Sequence, residues 1–114
     1  MNISVYKKGG YCVFRIQEDV GLTTELSDLR RRIEQELAAG AKNVAIAFTQ
    51  PSYLYTKSIA VLIACSEMIK DAGGHLAILE ANKDILDILS VIDFDKMIKI
   101  FGSEEELVSP PIAS

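Results

Sequence analysis

At 114 residues the chain has the length of one domain, and an apolar share of 49% is enough to fill one core. Sixteen acidic against twelve basic residues leave a net charge of −4, and the cations are scattered apart from Arg30, Arg31 and Arg32, which argues against nucleic-acid binding through clustered phosphate contacts. Met1 to Tyr6 lacks the features of a secretory signal, no apolar run approaches the roughly 20 residues of a membrane span, and Cys12 and Cys65 lie far apart in apolar surroundings, as free thiols of a reducing compartment do, so a cytoplasmic protein is expected.

Ile3 to Tyr6 and Tyr11 to Ile16 are β-rich runs on either side of Lys7, Lys8, Gly9 and Gly10, whose two glycines supply the positive φ of a hairpin turn. Leu26, Leu29, Ile33 and Leu37 then recur at steps of three and four, with Thr23 or Thr24 to cap and Gly40 to stop an amphipathic helix. On that helix Asp28 and Arg32 are spaced to pair, and the arginine run reads either as a solvated face or as a docking patch for an acidic partner.

Val44 to Phe48 is short and continuously apolar, the pattern of a parallel strand covered on both faces. A turn through Pro51 and Ser52 leads to a second helix marked by Ile59, Leu62, Ile63, Ser66 and Ile69, which Gly73 and Gly74 end. His75 to Leu79 is the next strand. Asn82 is a good N-cap for a third helix carrying Ile85, Leu86, Leu89 and Ile92, with Asp84 favourably placed in its first turn.

Met97 to Phe101 makes a last short strand, and Ser103 with Glu106 has the spacing of a capping box, which predicts a fourth helix that Pro110 and Pro111 end. The order ββαβαβαβα implies one α/β domain over residues 1–108, a mixed sheet with helices packed against it, and a short tail over residues 109–114. Burial is expected at Val13, Ile16, Leu29, Ile33, Val44, Ile46, Phe48, Leu62, Ile63, Ile69, Leu76, Ile78, Leu86 and Leu89.

Three stretches carry a resemblance. They are Val44-Ala45-Ile46-Ala47-Phe48 running through Ser52-Tyr53-Leu54 into Ser58-Ile59-Ala60-Val61-Leu62, then Gly73-Gly74-His75-Leu76-Ala77-Ile78-Leu79, then Ile92 to Phe101 before Ser103-Glu104-Glu105-Glu106. From about Tyr11 to Leu107 the chain resembles the STAS domain, named for sulfate transporters and anti-sigma-factor antagonists. The resemblance implies a small regulator that docks on an anti-sigma factor or another kinase-like signalling protein, with binding controlled by phosphorylation at the start of the second helix.

The family's usual motif at that place is Asp-Ser-Ser-Gly, whereas the matching positions here read Tyr55-Thr56-Lys57-Ser58. The usual phosphorylated Ser thus falls on Lys57, its preceding Asp on Tyr55, and a further family Asp on Gly21. Lysine accepts no phosphoryl group, and a cation in the first helical turn opposes the positive dipole end by about 0.3–1 kcal/mol. Thr56 and Ser58 still offer hydroxyls, either as helix caps or as phosphorylation sites whose anion the helix start and Lys57 would stabilise. Tyr53 and Tyr55 lie on one side of the segment if alternation holds, for local packing or for an interface, where aromatic residues are enriched.

Catalysis is not expected. His75 has no neighbouring partner, three His and Cys residues are too few for a structural zinc site, and no nucleophile motif, phosphate-cradling glycine loop or nucleotide fingerprint is present, so neither cofactor nor metal is expected. The leading expectation is a protein-binding regulator using Tyr53, Tyr55, Thr56, Lys57 and Ser58, with self-association an open alternative. The competing expectation is a sensor that holds a small anion or nucleotide at Lys57 and the second helix N-terminus.

Overall fold

The computed structural model describes residues 2–21, 26–48 and 52–108. Strands β1 (Ile3–Lys8) and β2 (Tyr11–Ile16) pair antiparallel, with Ile3 opposite Ile16 and Lys8 opposite Tyr11. Lys7 and Lys8 therefore belong to the strand and not, as the sequence suggested, to the turn. Gly9 and Gly10 make the turn alone, at φ 60° and 84°, because two positive-φ residues match the twist of a hairpin.

Strands β3 (Asn43–Ala47), β4 (Leu76–Leu79) and β5 (Lys99–Phe101) continue the sheet in parallel, and the spatial order is β1-β2-β3-β4-β5. Helices α1 (Ser27–Ala38), α2 (Thr56–Asp71) and α3 (Lys83–Val91) make the crossovers. Each new parallel strand is added on the same side, so crossovers of the usual right hand place all three helices on one face.

Strand alternation divides the core accordingly. Cys12, Phe14, Ile16, Val44, Ile46 and Ile78 point towards the helices and pack with Leu29, Ile33, Leu62, Ile69, Ile85 and Leu89. Val13, Ala45, Ala47, Ala77 and Leu79 point the other way, where Leu107 covers them. Burial on both faces is the reason β3 reads as an unbroken apolar run.

The fourth helix is corrected to a short 3-10 turn, Glu104–Val108. Half of the expected capping box forms: the Glu106 carboxylate accepts from the N–H groups of Gly102 (2.8 Å) and Ser103 (3.1 Å). Three successive glutamates repel one another, and Pro110 follows two residues later, so the turn does not lengthen into an α-helix. A second 3-10 turn, Phe94–Lys96, delays β5 to Lys99, two residues beyond the expected start. Thr23, Thr24, Pro51 and the tail over residues 109–114 lie outside the described residues, and Leu26 at the N-cap of α1 contributes no side-chain bond.

Two expected core residues are corrected as well: Ile63 is 37% and Leu86 38% exposed, while the other twelve are buried. The buried stripe of α2 runs Ser58, Leu62, Cys65, Ser66 and Ile69, and that of α3 is Ile85 and Leu89. Ile63 and Leu86 each sit one position beside the stripe. Ile92, placed by its apolar character on the same face, is the C-cap of α3 and 39% exposed.

Candidate functional site

The segment joining β3 to α2 carries the residues that the sequence singled out, and it is held by neighbours distant in the chain. The Ser52 hydroxyl accepts from the Val20 N–H at 3.2 Å, and the Tyr53 N–H donates to the Val20 carbonyl at 2.8 Å. Asn82 works in two directions: its Oδ1 accepts from the Ile85 N–H (2.9 Å), capping α3 as expected, and its Nδ2 donates to the Ser52 carbonyl (2.8 Å). Leu54 points into the core at 3% exposure, which turns Tyr53 and Tyr55 outwards.

The two rings lie side by side with centroids 4.9 Å apart and planes at 44°, and they are 46% and 40% exposed. Alternation thus places them on one side, in a contact of the separation favoured by aromatic pairs. Helix α2 starts at Thr56, directly after Tyr55 in an extended conformation at the N-cap. Neither Thr56 nor Ser58 caps it: the N-cap position has no side-chain hydrogen bond. Thr56 and Lys57 are exposed, whereas Ser58 is 1% exposed because it begins the buried stripe of the helix.

A charged cluster on the helix-free face escaped the sequence reading. The Arg15 guanidinium donates to both carboxylate oxygens of Glu80, from Nη1 at 3.0 Å and from Nη2 at 2.9 Å. Its Nε donates to the Tyr6 hydroxyl (2.9 Å), Nη2 also meets Glu104 (2.5 Å), and the Tyr6 hydroxyl donates to Glu104 (2.5 Å). Lys8 adds an ion pair to Glu104 at 3.3 Å. Arg15 lies opposite Ala47 in the β2–β3 register, and Ala47 opposite Leu79 in the next, so the fork crosses β3 above a methyl group to reach the end of β4. The one sequence signal was a lone cation inside the apolar strand Tyr11 to Ile16.

Hydrogen bonds from Tyr6 and from Arg15 hold the Glu104 carboxyl at about 2, well below its ordinary 4.5. A depressed carboxyl stabilises the fold fully above pH 4.5 and loses that contribution as the pH falls towards 2. Glu104→Gln is therefore expected to lower stability at pH 7 and to flatten its decline between those two values. Urea midpoints of the two proteins across this range check it, and parallel profiles would contradict the pairing.

The remaining candidates are structural. Burial pushes the Cys65 thiol up to about 12 and raises Cys12 too, which keeps both protonated and inert. His75 is exposed before β4, its N–H held by the Asn43 Oδ1 at 3.0 Å. Asp28 pairs with Arg32 at 3.2 Å, as expected, and also with Arg31. A cleft of about 330 Å³ lined by Lys7, Tyr11, Cys12 and Lys42 lies at the amino ends of β2 and β3, the opposite end of the sheet from Tyr53. Among the described residues no group of three or more His, Cys, Asp and Glu is placed to hold a metal ion, and no helix is long and apolar enough to cross a membrane.

The family model described as the STAS domain matches residues 2–107. The fold is similar to that of a Thermotoga maritima protein at 15% identity and a TM-score of 0.80, covering 91% of this chain and 89% of that one. It is similar to an anti-sigma-factor antagonist (STAS) domain protein of Planctomyces limnophilus, at 16% identity, TM-score 0.77, and coverage of 93% and 94%. The phosphorylated form of the Bacillus cell fate determinant SpoIIAA is similar at 12% identity, TM-score 0.71, and coverage of 94% and 96%. No curated protein matches the sequence.

Proposed function

The chain belongs to the STAS domain family, and from that premise we propose that it is a cytoplasmic, non-enzymatic signalling regulator that docks on an anti-sigma factor or a related kinase-like protein through the segment Tyr53 to Ser58. The observation that carries this reading is the exposed Tyr53–Tyr55 pair standing beside Lys57 at the start of α2. Two adjacent rings offer a large contact area at a low cost in side-chain entropy, and burying such anchors is where binding energy concentrates. Lys57 then selects a partner carboxylate where a seryl phosphate would otherwise repel one.

The same chemistry limits regulation. Lys57 removes the acceptor at the family's position, and the Ser58 hydroxyl is turned into the core, so the surface stays competent to bind unless the exposed Thr56 is modified.

Affinity purification of the tagged full chain from its native cell, with intact-mass measurement of the recovered protein, tests this. Wild type is expected to recover an anti-sigma factor or another signalling protein. The Tyr53→Ala/Tyr55→Ala double variant is expected to bind that partner at least ~30-fold more weakly, the effect of ~2 kcal/mol typical of an anchor residue. Equal affinity of the two proteins would remove the docking role from the tyrosines.

A further inference from the structure

We propose that Arg15 is a positioning residue for the Tyr53 segment, acting from the opposite face of the sheet by holding Glu80 in a left-handed conformation that delivers Asn82 to Ser52. The proposal rests on the reading of Tyr53 to Ser58 as the docking surface.

Glu80 follows β4 with φ 55°, a region that glutamate, unlike glycine or asparagine, seldom occupies. A conformation of this kind persists where its surroundings over-determine it. Restraints on both its backbone and its carboxylate do so here. The Glu80 N–H is held by the Phe101 carbonyl at 3.2 Å, and its carboxylate is gripped by both arms of the Arg15 fork at 3.0 and 2.9 Å. The guanidinium is itself fixed along its other edge by Tyr6 and Glu104, so it cannot follow a moving Glu80 without breaking those bonds. A planar fork held on two sides constrains direction as well as distance.

The left-handed residue turns the chain out of β4 and sets the approach of Asn82, two residues on. Asn82 has a single side chain for two tasks, capping α3 at Ile85 and holding the Ser52 carbonyl. If the β4–α3 turn relaxes to an ordinary φ, the cap can be kept by rotation of the new helix start, but the 2.8 Å bond to Ser52 cannot be kept with it. Ser52 then loses one of the bonds that hold it, and the paired bonds through which Val20 holds Ser52 and Tyr53 open more often. Arg15 thus reaches the aromatic pair through Glu80, Asn82 and Ser52, four residues from three segments that local sequence patterns do not connect.

Amide hydrogen exchange of the full chain, read residue by residue by NMR, tests the proposal. In Arg15→Gln the Tyr53 and Val20 amides are expected to exchange at least ~tenfold faster, while the Ile33 amide inside α1 is unchanged, the signature of a local opening. Glu80→Asn supplies a residue that accepts the left-handed backbone unaided, so Arg15→Gln made in that background should leave Tyr53 exchange slow. Arg15→Lys keeps the charge without the fork, tolerates the fold if the glutamine variant does not, and should still speed Tyr53. Unchanged Tyr53 exchange in Arg15→Gln or Arg15→Lys, equal acceleration of Tyr53 and Ile33, or no rescue by Glu80→Asn would overturn the proposal. None of these readings uses a partner, so a chain that docks elsewhere would leave the exchange result standing.

Discussion

Gly74→Ala is expected to abolish cooperative folding or to cost about 3 kcal/mol or more, at the far end of what overpacking does. A β-carbon at position 74 would lie 1.7 Å from the Lys42 carbonyl oxygen and 2.3 Å from its carbon. The obstacle is backbone, so no rotamer change relieves it. Nor can the two chains move apart cheaply, because they are the approaches to β3 and β4: the Val44 N–H donates to the His75 carbonyl at 2.9 Å, and Val44 lies opposite Leu76 in the parallel ladder. Gly21→Ala is the matched control, since among the described residues its β-carbon would meet nothing within 4 Å and its backbone needs no positive φ; a change within ~0.5 kcal/mol is expected there. Urea unfolding of both variants reads the difference. A Gly74→Ala protein as stable as Gly21→Ala would show that the approaches to β3 and β4 part readily, contrary to this expectation.

That example also marks the boundary of what the sequence made legible. Gly73-Gly74 was read as the end of a helix, and Gly73 at φ 88° does that work. Gly74 has the other reason for glycine, a close approach of two backbones 32 residues apart, which no local pattern encodes. The same distinction separates the elements that were found from those that were not. A period of 3.6 located three helices because each buries one stripe, and short β-rich or continuously apolar runs bounded by turn residues located five strands, β3 and β4 being covered on both faces. These patterns failed at Ile63 and Leu86, where apolar residues flank the stripe, while Ser66 was read on the stripe and is buried there; Ser58, four residues before Leu62, is in phase with the stripe but its polar side chain hid it.

The site was legible to the same depth. Tyr53 and Tyr55 fall on one side through simple alternation, and Asn82 announces itself as a cap. The second task of Asn82, and the Arg15–Glu80 fork joining residues 65 apart, depend on the sheet order and on the small Ala47 between them. Their only sequence trace is a charged residue where a strand core should be apolar.

Phosphorylation by a kinase that acts on STAS domains is expected to place phosphate on Thr56, and not on Ser58, in the wild-type chain. Thr56 is exposed at the first position of α2, while Ser58 is 1% exposed and cannot present its oxygen in line to a phosphoryl donor without unwinding the helix start. A phosphate at Thr56 adds about −2 charge beside the aromatic pair, so the modified protein should bind its partner at least ~tenfold more weakly through repulsion and desolvation. The fold should respond in the opposite sense, because an anion at a helix N-terminus is favoured by about 0.3–1 kcal/mol and Lys57 lies next to it. Weaker docking with slightly greater thermal stability is therefore the combined signature, and it separates a surface effect from damage to the fold. Lys57→Ser alone should not restore ordinary phosphorylation at position 57, since Tyr55 still stands where the family pattern has a carboxylate; Lys57→Ser/Tyr55→Asp should. Intact mass followed by fragment localisation, on wild type and both variants treated with the same kinase, reads all three outcomes. Phosphate found on wild type away from Thr56, or a Lys57→Ser variant modified as efficiently as the double variant, would take the regulatory role away from the start of α2.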